Sequence, residues 1–197
     1  MSATRSLTLA DAALPRAGTF SNAALILGAS VLTAFAAQVA LPLPWTPVPL
    51  TGQTFAVLLT GAVLGPKRAF LAMALYLLEG AAGLPVFAGG AAGALEFAGP
   101  TGGYLLAFPF AAAATGALCQ RGWDRRFVTM LAAMLLGSCV IFALGLSMLS
   151  RFVPASTLLA QGLLPFVPGD LLKSALAALA FPTAWRFVGR GRGRDAA

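Results

Sequence analysis

The chain has no histidine, two cysteines and six acidic residues in 197 positions. Without imidazole, metal centres and nucleophile–base pairs lose their commonest partner. No GxxxxGK[ST] stretch occurs, so the chain has no Walker-type nucleotide cradle, and GxSxG and HExxH are missing as well. The acids are too few and too scattered for a metal cluster or an intramembrane hydrolase. Cys119 and Cys139 both fall in apolar stretches, which reads as two buried, inert thiols rather than a disulfide or a metal site. These absences point away from an enzyme and call for no metal and no cofactor.

Charge of either sign is also scarce. Charged residues make up 10% and hydrophobic residues 59%, with a mean hydropathy of +0.87, against about 25% and 45–50% in an average soluble domain. The composition is that of an all-α integral membrane protein embedded in a lipid bilayer. The net charge of +7 could suggest nucleic acid, but the placement of the basic residues fits membrane topology instead and excludes a nucleic-acid role.

A crossing helix needs about 20 apolar residues. Apolar runs at Phe20–Leu41, Thr51–Leu64, Ala69–Gly83, Tyr104–Cys119, Phe127–Leu149 and Leu163–Val188 predict six transmembrane helices. The organisation is a cytosolic tail over 1–19, a six-helix domain over 20–188 and a basic cytosolic tail over 189–197. Residues 1–19 mix Arg5, Asp11 and Arg16 with Ser and Thr and lack the apolar core of a secretory signal. Eleven of the 13 basic residues fall at ends or loops that six spans place on the side of the termini; Arg151 lies opposite and Lys173 within a span. The positive-inside rule then puts both termini in the cytosol.

The outer-side connections are rich in Pro, Gly and aromatics, notably LPLPWTPVPL (41–50) and LPVFAGGAAGALEFAGPTGG (84–103). Non-helical backbone at membrane depth survives where protein or a watery cavity receives its polar groups. Trp45, Phe87, Phe97 and Tyr104 offer rings for an outward-facing pocket; the alternative is a set of plain linkers. Gly99, Gly102 and Gly103 around Pro100 permit close approach of main-chain N–H groups to a ligand, or serve as a tight turn. Glu96 reads as a solvated loop acid and Glu79 as interfacial or paired. Gln53 and Thr54, with Gln38 and Tyr76, are polar positions that either bond between helices or touch a ligand.

The most informative feature is Asp170 and Lys173, three residues apart in PFVPGDLLKSALAALAFPTAW (165–185). Each costs roughly 2.5–3.5 kcal/mol at a bilayer centre on insertion scales, so they face a cavity, pair with each other, or hold a ligand. At i and i+3 they share a helix face, and Pro168 in a first turn would set Asp170 near the positive end of the helix dipole. A self-neutralising ion pair that only packs the bundle is the alternative. Ala29, Thr33 and Ala37, flanked by Ala36 and Ala40, form a small-residue face on the first span, suited to close helix contact or to docking a partner.

The strings PVPLTGQT (47–54), GPKR (65–68), GLPVFAGG (83–90), GPTGGYL (99–105) and PFVPGDLLK (165–173) together resemble the BioY family, biotin-specific substrate-binding subunits of energy-coupling factor transporters, over roughly residues 20–188. The resemblance implies six helices in a bacterial cytoplasmic membrane and capture of biotin from outside. It implies work with a transmembrane coupling subunit, docked on the Ala29/Thr33/Ala37 face, and two cytosolic ABC-type ATPases; a homo-oligomer is compatible with it. Ligand roles carry onto Asp170 and Lys173, with Gln53, Trp45, Phe87, Tyr104, Gly102 and Gly103 as further substrate-binding candidates. Some relatives carry a basic residue in the 84–103 linker that could hold the biotin carboxylate; this chain has Glu96 there and no cation. A carrier for another vitamin, and a membrane assembly protein, are the competing readings.

Overall fold

A computed structural model describes residues 7–14 and 18–194. Arg5 and Arg16 lie outside the described residues. The described residues are mostly helical, with one small hairpin: α1 (Leu9–Ala13), α2 (Thr19–Gln38), β1 (Ala40–Leu41), β2 (Leu50–Thr51), α3 (Gln53–Leu64), α4 (Pro66–Ala81), α5 (Gly102–Cys119), α6 (Phe127–Leu149), α7 (Leu158–Gly162) and α8 (Val167–Arg194). Four of these, α2, α5, α6 and α8, are long and apolar enough to cross a membrane. The shorter α3 and α4, of 12 and 16 residues, pack beside them.

The helix ends follow local chemistry. Thr8 and Asp11 form a capping box at the start of α1. A single residue, Gly65, joins α3 to α4; its φ of +77° suits glycine, and Pro66 follows at the first helical position. The antiparallel hairpin pairs Ala40 with Thr51 and Leu41 with Leu50, and so turns the proline-rich 41–50 stretch back over the bundle. Four glycines of positive φ, Gly83, Gly89, Gly90 and Gly93, shape the 84–101 segment into two 3-10 turns, Ala88–Gly90 and Ala94–Ala98.

The core forms around α5, which is 67% buried over its crossing window against 17% for α2. Small residues set the approach. A Cβ on Gly61 of α3 would lie 2.4 Å from the Ala112 carbonyl oxygen of α5, and one on Gly137 of α6 would lie 2.2 Å from Thr115 Oγ1. Such contacts are how helices associate in lipid, where burial of apolar surface gives little drive. α2 turns Phe20, Leu27, Leu32 and Phe35 outward.

Several expectations need correction. The first expected span, α2, ends at Gln38 rather than Leu41, because the hairpin takes over at Ala40. The last begins at Val167 and its backbone stays helical to Arg194, through most of the expected tail. Cys119 is buried but Cys139 is exposed on the outer face of α6.

Candidate functional site

The N-terminal ends of α3, α5 and α8 converge beneath the hairpin and the 84–101 roof. Between them lies a cavity of about 310 Å³, within the range of small-molecule sites. Gln53 and Thr54 come from the first turn of α3, Thr101 and Tyr104 from the start of α5, and Asp170 and Lys173 from the start of α8. The hairpin segment 47–51 closes one side, and the roof contributes Phe87, Ala88, Ala91 and Glu96. Phe108, Phe142 and Phe166 add rings from α5, α6 and the entry to α8. Three helix N-termini aimed at one space make it favourable for ligand acceptor atoms.

Asp170 and Lys173 do not form an ion pair among the described residues. Asp170 Oδ1 accepts from Ser138 Oγ on α6 at 2.8 Å. Lys173 Nζ donates to the Thr51 carbonyl at 2.7 Å, which ties α8 to the hairpin. Each side chain is therefore fixed by one neutral neighbour, while the second carboxylate oxygen and the other ammonium hydrogens keep bonding capacity. Both residues line the cavity. A self-neutralising pair is not what this geometry shows.

The aromatic wall is built as a connected unit. Tyr76 and Phe87 meet edge-on at 5.5 Å, and Phe87 meets Phe97 at 5.7 Å. Tyr76 Oη donates to the Val86 carbonyl at 2.9 Å and accepts from Gln53 Nε2 at 2.5 Å. Gln53 Oε1 accepts from Thr51 Oγ1 at 3.1 Å. The Gln53 amide is thus engaged in bonding between α3, α4 and the hairpin, and it lines the cavity as a supporting group. Gln38 Nε2 donates to the Phe87 carbonyl at 3.2 Å. Tyr104 Oη donates to the Gly162 carbonyl at 2.8 Å, leaving its ring as a wall.

Other expected residues lie elsewhere. Trp45 is 59% exposed and outside the cavity lining, because the hairpin turns it away from the bundle. Gly102 and Gly103 pack rather than line: added Cβ atoms would stand 2.1 Å from the Phe97 carbonyl oxygen and 2.3 Å from that of Leu144. Thr33 and Ala37 are fully buried within the chain; Thr33 Oγ1 bonds the Ala29 carbonyl and lies 3.8 Å from Met73 Sδ on α4, and Ser30 bonds Glu79 nearby. This small-residue face is covered by α4, so it is not an open docking surface. Ser138, Thr51 and Phe166 were not foreseen. A serine midway along the apolar α6 and an aromatic two residues before PGDLLK were the available signals.

The opposite end of the bundle is wired differently. Arg68 Nη2 meets Asp11 Oδ1 at 2.8 Å. Burial alone would raise the Asp11 pKa, but the Thr8 hydroxyl and the Arg68 guanidinium outweigh it and hold the carboxyl below its ordinary value. Asp124 is 1% exposed. It accepts from Trp185 Nε1 at 2.5 Å and has Arg125 Nε at 3.6 Å, and the Arg125 guanidinium sits 3.4 Å over the Trp185 ring. Burial pushes the Asp124 pKa up, with Trp185 and Arg125 opposing.

The BioY family model matches residues 8–190. The chain belongs to the BioY family. It is 43% identical over 148 residues to the probable biotin transporter BioY of Pyrococcus horikoshii, spanning 75% of this chain and 86% of that one. Against the biotin transporter BioY of Rhizobium etli it is 36% identical, over 78% and 86%. Its fold matches the crystal structure of an S-component for biotin from an ECF-type ABC transporter, with a TM-score of 0.73 and 25% identity over 85% of this chain and 92% of that one. The BioY resemblance read from the five motifs is thereby borne out.

Proposed function

We propose that this BioY chain is the biotin-capturing, substrate-binding subunit of an ECF-type transporter. The observation that carries it is the placement of Asp170 and Lys173, each with unspent bonding capacity, on the wall of one aromatic-lined cavity. Biotin offers a ureido ring with two N–H donors and a carbonyl, an apolar thiolane and a valerate chain. Asp170 accepts from a ureido N–H and Lys173 donates to the ureido carbonyl. Phe87, Tyr104, Phe142 and Phe166 cover the apolar ring. A buried site of matched polar groups rejects analogues that lack those groups.

In this reading the chain crosses a bacterial cytoplasmic membrane six times, with both termini in the cytosol and the cavity open to the outside. The eleven-to-one split of the loop and tail basic residues supports that orientation. A transmembrane coupling subunit and two cytosolic ABC-type ATPases supply the energy step, since the chain has no nucleotide motif. No docking residues are assigned on α2, because Thr33 and Ala37 are covered by α4.

The test is a titration of biotin into the purified chain in detergent, without ATP or partner. The reading requires saturable one-to-one binding. Binding that appears only after ATPase and ATP are added would refute it.

A further inference from the structure

The charges on the cavity wall do not suit every biotin equally. Lys173 is the one cation among the lining residues, against two acids, Asp170 and Glu96. Lys173 already donates to the Thr51 carbonyl. With the ureido ring at Asp170 and Lys173, the other charged side chain that a bound biotin meets on the walls is Glu96. The valerate of free biotin is an anion at neutral pH, so it enters a lining that carries more negative than positive charge.

The backbone of Glu96 is held in place by its surroundings. It sits half-buried in the Ala94–Ala98 turn. Its N–H donates to the Gly93 carbonyl and its carbonyl accepts from the Gly99 N–H, both at 3.3 Å. The adjacent Phe97 ring packs on Phe87, and the Phe97 carbonyl closes against Gly102 at the start of α5. The backbone that carries Glu96 therefore cannot swing away without disturbing the aromatic wall and α5 together.

We infer that Glu96 is a specificity-determining residue that penalises a free carboxylate tail, so that the cavity takes biotin capped as a neutral amide at least as well as biotin itself. The inference rests on the biotin reading of the site. The α5 N-terminus, beside Thr101, pulls the other way by attracting an anion, and the experiment weighs the two.

The probes are biotin and biotinamide, which have the same shape and differ in the charge of the tail. Both are titrated into the purified full chain and into Glu96→Gln and Glu96→Arg. In the unaltered chain, biotinamide is expected to bind as tightly as biotin or more tightly. Glu96→Gln should tighten biotin by about fivefold or more, as relief of a like-charge contact in a partly solvated site allows, and leave biotinamide within about twofold. Glu96→Arg should shift the preference further toward biotin. Unchanged biotinamide affinity in each variant also reports that the roof is intact. The inference is overturned if the unaltered chain prefers biotin by tenfold, if Glu96→Gln leaves the ratio of the two ligands unchanged, or if it weakens biotinamide. Failure of both probes to bind the unaltered chain would overturn the biotin reading itself and this inference with it.

Discussion

The two ends of the bundle treat charge in opposite ways. At the end where α3 meets α4 and α6 begins, charges meet charges: Asp11 with Arg68 at 2.8 Å, and Asp124 with Arg125 at 3.6 Å beneath Trp185. At the cavity end, Asp170 and Lys173 sit one turn apart, yet each bonds a neutral neighbour, Ser138 Oγ and the Thr51 carbonyl. At the first end each of these acids has an arginine nitrogen within 4 Å. Charges held by neutral groups at the wall of a cavity are oriented but left with capacity to bond a ligand. A single neutral anchor fixes geometry at little electrostatic cost to the ligand, which is the preorganisation a binding site needs.

The comparison can be pressed hardest at Lys173. Lys173→Met removes the ammonium, its tie to the hairpin and, in the proposed reading, a donor to biotin; truncation of a desolvated charged hydrogen-bond partner typically costs about 2–5 kcal/mol of binding. Biotin titration should show a loss of at least about thirtyfold in protein that elutes as a single folded species. A loss under threefold would mean the lysine is only a strut. The next effect is on the wall. A Cβ on Gly145 would lie 2.3 Å from the Tyr104 ring, so Gly145→Ala should lower stability by about 1–3 kcal/mol through overpacking, measured as a fall in thermal midpoint, and weaken biotin binding with it. An unchanged midpoint would show that Tyr104 yields freely.

The smallest effect is expected at the paired end. The Asp11 carboxyl is held below its ordinary pKa of 3.8. Its contribution to stability is therefore present above that value and lost as pH falls through the lowered one. Because the pair is partly exposed, Asp11→Asn should cost under about 1 kcal/mol at neutral pH, with the difference from the unaltered chain closing as pH drops below 3.8. A deficit that persists in acid would remove the charge from the explanation. Biotin affinity should not change.

Much of the fold was legible because apolar runs in a membrane chain have few other destinations. Phe127–Leu149 matches α6 at both ends, since Arg126 before it and Ser150 and Arg151 after it are abrupt polar stops. The end of α2 was not legible, because Ala40 and Leu41 are as apolar in a hairpin as in a helix; the apolar run from Leu163 hid the start of α8, although Pro168 marked its first turn. Asp170 and Lys173 stood out because burying a charge is costly enough to demand a reason. Phe87 and Tyr104 line the cavity as expected. Trp45 does not, because a loop aromatic can face either way and the hairpin register decided it. The place of Glu96 on the cavity wall depends on a roof set by four glycines of positive φ, a conformation with no periodic signature. Ser138 escaped notice because a serine in a transmembrane helix can bond its own backbone at little cost.

The contrast between the ends reduces to one paired measurement. Asp170→Asn and Asp124→Asn make the same chemical change, carboxylate to amide, at two acids that each accept a hydrogen bond from a neutral donor, Asp124 buried with Arg125 at 3.6 Å and Asp170 half-buried on the cavity wall. Isothermal titration of biotin into both variants, alongside the unaltered chain, separates a ligand-facing acid from a structural one. The account predicts at least about tenfold weaker binding, about 1.4 kcal/mol, for Asp170→Asn and affinity within about twofold for Asp124→Asn. Equal affinities in the two variants, or a loss confined to Asp124→Asn, would contradict it.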